Sequence, residues 1–191
     1  MIARSALMCC AVALVWLASS TDAPADINLF GTVTDNVARA AAENDAARVR
    51  QNVVNGYNVN QFDDEGRTGL QIAATNNNLQ IAAILIRAKA NLDIRDKLGN
   101  TALHYATDRN HLEMAQLLLD VGAQIDLENK NGMTPLMIAA ARGNAGIVQA
   151  LLAKGANVRK TDFTGRDALG WASESHKPAI IQLLQRAAAK R

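Results

Sequence analysis

The chain has 191 residues, a length that suits one domain of ordinary size. Apolar residues make up 49% and charged residues 20%, which excludes a disordered chain, and the 4% of aromatic residues favours thin, close-packed helices over a β-sandwich. The net charge of +2 is too small for an obligate nucleic-acid-binding protein, so we expect no nucleic-acid partner.

The first 25 residues have the pattern of a secretory signal peptide. Arg4 supplies a positive charge, residues 6–18 are continuously apolar, and Ala23 and Ala25 are the small residues before a predicted cleavage site at Asp26. This apolar run is shorter than the roughly 20 residues that span a bilayer, so an uncleaved anchor is the weaker interpretation. We therefore expect an exported protein, periplasmic in the first place and extracellular in the second, with no membrane association after cleavage.

The two cysteines of the chain, Cys9 and Cys10, lie inside this apolar run rather than after it, which also disfavours a lipoprotein. The mature chain consequently has no thiol. It is predicted to have no disulfide bond, no cysteine metal site and no catalytic cysteine.

A repeat organises the rest of the chain. Gly66, Gly99, Gly132 and Gly165 follow one another at intervals of 33 residues, and each precedes one short and one longer apolar segment. A fixed period near 33 is typical of a solenoid. One repeat domain over residues 26–191 is therefore predicted, with five units at 30–62, 63–95, 96–128, 129–161 and 162–191, here called units 1 to 5. Unit 1 is degenerate, and the polar end of unit 5 indicates a C-terminal cap.

Each unit predicts a turn and two helices in the same order. Asp or Asn three residues before the glycine is typical of a turn with positive φ, and Thr68, Thr101 and Thr134 are candidate N-caps of the first helix. The first helix is expected to end at a left-handed residue: Asn77, Asn110 or Gly143. The second helix should end at Gly122 or Gly155, where unit 2 has Lys89 instead.

The chain resembles the ankyrin-repeat family. Residues 101–104 read Thr-Ala-Leu-His and residues 134–137 read Thr-Pro-Leu-Met, close to that family's Thr-Pro-Leu-His signature, and residues 110–115 match its Gly-His-Leu-Glu-Ile-Val. The resemblance implies an all-α solenoid of antiparallel helix pairs with short β-hairpin fingers. It also implies that His104 ties a hairpin to a helix, whereas Gln71, Met137 and Gly170 depart from the signature histidine.

No pattern in the sequence indicates catalysis. The chain has no Gly-x-Ser-x-Gly, no His-Glu-x-x-His and no glycine-rich phosphate loop, and the acidic run at 63–65 is explained as an exposed turn. We predict that the protein is not an enzyme and needs no metal or cofactor. Tyr105 and Trp171 occupy equivalent positions, and either packing between units, which is favoured, or recognition of a partner would explain them.

Charge divides the chain in two. Residues 26–128 contain nine Lys and Arg against fourteen Asp and Glu, a balance of −5, whereas residues 129–191 contain ten against three, a balance of +7. Neutral drift of solvated surfaces, a partner of complementary polarity and head-to-tail self-association each explain this asymmetry.

In a stack of such units the hairpin tips and the ends of the first helices would share one concave face. Residues at these positions vary between units while the packing positions repeat, so we predict that the concave face binds a partner. Leu98, Met133 and Phe163 would be apolar anchors, and Arg109 and Arg142 charged ones. The competing expectation is that the hairpins pack on one another and leave little exposed. The full candidate set is Asp64, Glu65, Arg67, Lys97, Leu98, Asn100, Asp108, Arg109, Lys130, Asn131, Met133, Arg142, Phe163, Thr164 and Arg166.

The predicted function is therefore that of an exported, monomeric, non-catalytic interaction protein. It would bind, scaffold, protect or inhibit another protein, which the sequence does not identify. The alternative is a scaffold that associates with a membrane surface or with itself through the basic C-terminal units.

Overall fold

The computed structural model describes residues 36–189; the predicted signal peptide lies outside these described residues. Within them the chain forms ten helices, two in each unit, in the order α1 (Val37–Ala42), α2 (Ala46–Val54), α3 (Gly69–Thr75), α4 (Leu79–Arg87), α5 (Ala102–Asp108), α6 (Leu112–Asp120), α7 (Pro135–Arg142), α8 (Ala145–Ala153), α9 (Ala168–Glu174) and α10 (Pro178–Ala189). Helices of this length cannot bury an apolar face alone, so neighbouring units must supply the packing.

The helices stack in two rows. The odd-numbered, first helices pack on one another in chain order from α1 to α9, and each packs on its own second helix. In the second row α2 contacts α4, and α8 contacts both α6 and α10. This arrangement of helix pairs confirms the predicted all-α solenoid.

Local sequence signals explain where the first helices begin and end. The Thr68 hydroxyl caps α3 by accepting the Gln71 N–H, and Thr101 and Thr134 occupy the same N-cap position in α5 and α7. The expected left-handed residues follow, with φ of 54° at Asn77, 59° at Asn110 and 83° at Gly143. Short polar residues and glycine tolerate this conformation, which turns the chain into the second helix.

The second helices end in the same way. Gly122 and Gly155 have φ near 95°, and Lys89 has φ of 63° at the equivalent position. The structure therefore confirms that unit 2 places a lysine side chain where units 3 and 4 have glycine.

The finger between successive units is a tight, hairpin-like turn. In units 2 to 5 the N–H of the leading Asp or Asn donates to the carbonyl four residues later, at 2.8–3.0 Å, and its carboxyl or amide oxygen accepts the N–H of that same later residue. Extended strand pairing over residues 36–189 amounts to a single antiparallel bridge, Phe62–Thr68. The fingers are thus shorter than the β-hairpins that the resemblance implied.

The core runs through the whole stack. Leu85, Leu118, Leu151 and Leu184 occupy one position of the second helices and are fully or almost fully buried. In unit 1 the equivalent residue is Asn52, which is 3% exposed and whose amide nitrogen has no hydrogen-bond partner among the described residues. A polar side chain at a leucine position explains why the sequence repeat is weakest in this unit.

In some units a buried side chain of the first helix donates a hydrogen bond to the next finger, a contact that we call the latch. The Thr101 N–H donates to Nδ1 of His104 at 3.2 Å, so this nitrogen is unprotonated and Nε2 carries the hydrogen that reaches the Met133 carbonyl, also at 3.2 Å. Burial lowers the pKa of His104 to about 4, so it is neutral. Gln71 makes the equivalent latch, donating from Nε2 to the Asn100 carbonyl at 2.8 Å. The histidine role implied by the resemblance is therefore present, and glutamine performs it equally well in unit 2.

Candidate partner-binding groove

A groove of about 470 Å³ lies between the fingers and the first helices of units 3 to 5. Its middle row consists of Tyr105, Ile138 and Trp171, which stand at equivalent positions of α5, α7 and α9. The other lining residues come from fingers and helices alike: Asn100, His104, Asp108, Asn129, Met133, Ala141, Arg142 and Ser175. Three successive units thus form one continuous concave surface.

The two aromatic rings are fixed by their own fingers. The Tyr105 hydroxyl donates to Asp96, and Trp171 Nε1 donates to an Asp162 carboxyl oxygen at 3.0 Å. Both carboxylates belong to the residue that opens the finger turn. Burial, together with the Asp96 carboxylate, raises the pKa of Tyr105 to about 12. The rings are half-buried and line the groove, so they both pack between units and face an open surface.

Hydrogen bonds also keep Asp162 charged. Burial of its carboxyl group opposes ionisation, but donors from Thr164, Arg166 and Trp171 outweigh it and lower the pKa. The Asp162 carboxylate thus holds the finger of unit 5 and the Trp171 indole in one arrangement.

An ion pair occupies the rim of the groove. Arg142 Nε and Nη2 lie 2.8 and 2.7 Å from Oδ1 of Asp108, which joins the end of α7 to the end of α5. Both side chains remain partly exposed. Arg142 was expected to supply a charged anchor for a partner; its guanidinium is engaged by Asp108 within the chain, and the anchor role stays a prediction.

A second ion pair lies in unit 5, beside the Trp171 ring that lines the groove. Arg166 extends from the finger, its guanidinium carbon lies 4.2 Å from the centre of the Trp171 ring, and it pairs with Glu174 at the end of α9. One side of the Trp171 ring is thereby covered by the protein's own arginine.

The fingers do stack, as the competing expectation held. The Lys130 N–H donates to the Leu98 carbonyl at 3.0 Å, and the Phe163 N–H donates to the Asn131 carbonyl at 3.4 Å. A Cβ at Gly132 would approach the Phe163 backbone to 2.8 Å, so glycine is needed there for the close approach. Stacking nevertheless leaves Leu98 63% and Phe163 76% exposed.

The sequence-predicted residues divide into three sets. Asn100, Asp108, Met133 and Arg142 line the groove. Four others lie in or against the finger of unit 2, outside the groove: Asp64, Glu65, Arg67 and Lys97. Arg67 pairs there with Asp63 and Glu65, and the Lys97 ammonium donates to the Asp64 carbonyl at 3.1 Å. The remaining residues stand at finger tips or at an exposed helix end without lining the groove: Leu98, Arg109, Lys130, Asn131, Phe163, Thr164 and Arg166.

The candidate set missed the middle row of the groove. Tyr105, Ile138 and Trp171 fall at the same position in the 33-residue period, one residue after the signature position, so their spacing could have placed them on one face. His104, expected from the resemblance to tie a hairpin to a helix, and Asn129 were outside the candidate set; both bond neighbouring fingers and also line the groove.

The charge asymmetry is partly neutralised inside the chain. Lys154 pairs with Asp120 at 2.8 Å and Lys160 pairs with Glu128 at 2.5 Å, so together with Arg142–Asp108 three cations of unit 4 meet three anions of unit 3. We call these three pairs the charge ladder. Residues that make the two halves opposite in sign therefore pair across the junction of units 3 and 4.

Neither metal-binding clusters nor membrane-spanning helices occur in the part of the chain that the structure describes. No group of three or more His, Cys, Asp or Glu side chains converges there, and no helix between residues 36 and 189 is long and apolar enough to cross a membrane.

The sequence matches a known family. A family model described as ankyrin repeats (3 copies) matches residues 37–129 and again residues 121–190. No curated protein matches the sequence.

Proposed function

The chain belongs to the ankyrin-repeat family, and on this premise we propose that it is a non-catalytic protein that binds another protein through the groove of units 3 to 5. The observation that carries the proposal is the groove itself. It has an apolar middle row contributed by three units and polar groups on both rims. An open surface of this kind suits a segment of a partner protein.

Preorganisation supports the same proposal. Hydrogen bonds to the finger carboxylates hold Tyr105 and Trp171, so little side-chain entropy would be lost when a partner packs on the rings. The exposed Leu98 and Phe163 tips add apolar area beside the groove, and such residues are favoured at interfaces.

The direct test is to fill the groove. Ala141 lines it, and Ala153 lies exposed at the end of α8 on the other row of helices. With the mature chain as bait in a periplasmic extract, Ala141→Arg should abolish capture of a partner, because the added side chain occupies the groove. Ala153→Arg should capture as well as the unchanged chain. Equal capture by both variants would place binding elsewhere.

The finger tips need their own comparison. Phe163→Ala removes an exposed ring and should weaken capture by more than about tenfold if the tip is an anchor. Gln116→Ala changes an exposed residue of the second row and should have no effect. Greater damage from Gln116→Ala would contradict the concave-face assignment.

Export is part of the proposal. The supporting pattern is the apolar run followed by Ala23-Pro24-Ala25. N-terminal sequencing of protein from the periplasmic fraction should give Asp26 as the first residue. Recovery of a form that begins at Met1, in the cytosol alone, would contradict export.

A membrane-surface scaffold built on the basic units receives less support. Three of the five cations in unit 4 are engaged in the charge ladder, and Arg166 of unit 5 pairs with Glu174. Fewer cations therefore remain for anionic lipid than the sequence suggests.

A further inference from the structure

Unit 5 contains an arginine site that is filled by its own chain. The guanidinium of Arg166 stacks on the Trp171 ring, with its central carbon 4.2 Å from the ring centre, and pairs with the Glu174 carboxylate. An aromatic ring and a carboxylate one helical turn apart on a first helix thus hold a guanidinium that arrives from the finger side.

Unit 3 repeats the same two receiving groups. Tyr105 stands at the position of Trp171, and Asp108 stands at the position of Glu174, each two periods earlier in the chain. The finger residue equivalent to Arg166 is Asn100, so the finger of unit 3 contributes no guanidinium. Tyr105, Asp108 and Asn100 all line the groove, which is therefore open at the place where unit 5 has its arginine.

The carboxylate of unit 3 has capacity for another donor. Both contacts of Arg142 go to Oδ1 of Asp108, and the Asp108 side chain is 37% exposed. A carboxylate has about four lone-pair sites and commonly accepts several charged donors. Arg142 thus pairs with Asp108 and leaves the carboxylate accessible to a second donor.

The charge around the site is nearly balanced once the ion pairs are counted. Unit 3 contains six Asp and Glu against two Lys and Arg, and three of the six, Asp108 among them, pair with cations of unit 4. Arg67, the basic residue of the preceding finger, is neutralised by Asp63 and Glu65. The attraction for an incoming guanidinium therefore comes from Asp108 itself and the Tyr105 ring, against the repulsion of Arg142.

We propose that Tyr105 and Asp108 form a binding site for an arginine side chain of the partner protein, which stacks on the phenol ring and pairs with Oδ2 of the carboxylate. The inference rests on the proposed function, since it names the chemistry by which the groove recognises its partner. Arginine is preferred to lysine because its planar guanidinium can stack and donate two hydrogen bonds at once.

The experiment uses a random linear-peptide library displayed on phage and the mature chain as target. We expect the selected peptides to be enriched in arginine and to lose binding to the Ala141→Arg variant. Replacing that arginine by citrulline, which keeps the shape and removes the charge, should weaken binding at least about tenfold.

Variants of the site identify its groups. Tyr105→Leu and Asp108→Asn should each weaken the selected peptide at least about fivefold, whereas Arg142→Ala should strengthen it, because a competitor for Asp108 is removed. Arg159→Ala, which removes an exposed cation of unit 4 that neither lines the groove nor belongs to the candidate set, is the matched control and should change little. Thermal unfolding of every variant shows whether the fold is retained.

The outcomes separate the two proposals. Peptides that bind in the groove but lack arginine, or that bind Arg142→Ala more weakly, would overturn the arginine site and leave the groove as the binding surface. Peptides whose binding is indifferent to Ala141→Arg would overturn the groove itself.

Discussion

One position of the repeat shows that different side chains can make the same contact. His104 and Gln71 both accept the N–H of the residue that caps their helix and both donate to a carbonyl of the next finger. Either side chain suffices because each offers one acceptor and one donor at a suitable separation. Met137 and Gly170 offer neither, so units 4 and 5 lack this latch. The contact of the signature histidine is thus kept by glutamine in unit 2 and absent at Met137 in unit 4.

Buried His104 should make stability depend on pH. Its folded pKa of about 4 lies below the ordinary value of 6.5, so the unfolded chain binds a proton first as the pH falls. The stability that neutral His104 contributes is fully present above about pH 6.5 and is lost as the pH falls toward about 4. The loss amounts to about 2 kcal/mol at pH 5. Urea unfolding at pH 7.5 and pH 5 should show this loss.

The matched variant for that experiment is His104→Gln, which copies the side chain that makes the latch in unit 2. It should keep the latch and its stability at pH 7.5 while losing less stability at pH 5 than the unchanged chain. The two proteins contain the same carboxyl groups, so the difference reports on the histidine. An identical pH dependence in the two proteins would show that His104 titrates normally.

The left-handed backbone conformation at Lys89 favours glycine over lysine. Its φ of 63° costs a side-chain-bearing residue roughly 1 kcal/mol, and the side chain is exposed. Lys89→Gly should therefore stabilise the protein by up to about 1 kcal/mol, measured by chemical unfolding. The reciprocal Gly122→Ala, at φ of 94° with open space around the Cβ position, should destabilise it by a similar amount. Destabilisation by Lys89→Gly would contradict this assignment.

At the scale of elements, most of the fold follows from spacing. The 33-residue period predicted where helices begin and end, through residues such as Thr134, Asn110 and Gly155. These positions are recognisable because few residue types suit an N-cap or a left-handed backbone conformation. The period did not show that the fingers would form so little strand pairing. Each finger closes in a tight turn at its leading Asp or Asn, and strand pairing within residues 36–189 is a single bridge between Phe62 and Thr68.

The best-defined packing element is the leucine row of the second helices. Leu118 is fully buried, with a unit on either side, so Leu118→Ala should cost about 2–5 kcal/mol through lost burial and an unfilled cavity. Gln116→Ala, two residues away and exposed, is the control and should change stability by less than about 0.5 kcal/mol. Thermal or urea unfolding measures both; similar effects would mean that the register is misassigned.

The candidate site was harder to predict than the helices because its chemistry depends on pairs between units. Asp108 and Arg142 were both named from their helix-end positions, but no pattern in the chain indicates that they pair with each other. Such a pair forms only if two side chains are long enough to meet across the junction between their units, and the period does not specify this. The middle row of the groove, in contrast, has a periodic signal in Tyr105 and Trp171.

At the scale of the whole molecule, opposite charge is concentrated at one junction. Unit 3 has a net charge of −4 and unit 4 a net charge of +5, and the charge ladder spans the boundary between them. Exposed pairs contribute little individually and are screened by salt. All three pairs run from a carboxylate of unit 3 to a cation of unit 4, so the opposite charges of these two units meet at their junction. The asymmetry thus has a role within the chain that does not require a partner of complementary polarity.

The stack should be weakest at its C-terminal end. Leu169 and Ile181 of unit 5 are half-buried where the equivalent Leu136 and Val148 are fully buried, and Met137 cannot latch unit 5 as His104 latches unit 4. Regions with fewer buried contacts open first. Hydrogen exchange should therefore be faster in α9 and α10 than in α5 to α8.

Met137→Gln tests the cause of that weakness. Gln71 shows that glutamine at this position can donate to the next finger, so the variant should bond the Arg166 carbonyl and slow exchange in α9. Methionine and glutamine have similar volumes, and the new hydrogen bond should contribute about 1 kcal/mol. Slower exchange confined to unit 5 supports the latch. Faster exchange throughout units 4 and 5 would mean that burying the amide costs more than the bond supplies, and the missing latch would then not explain the weak end.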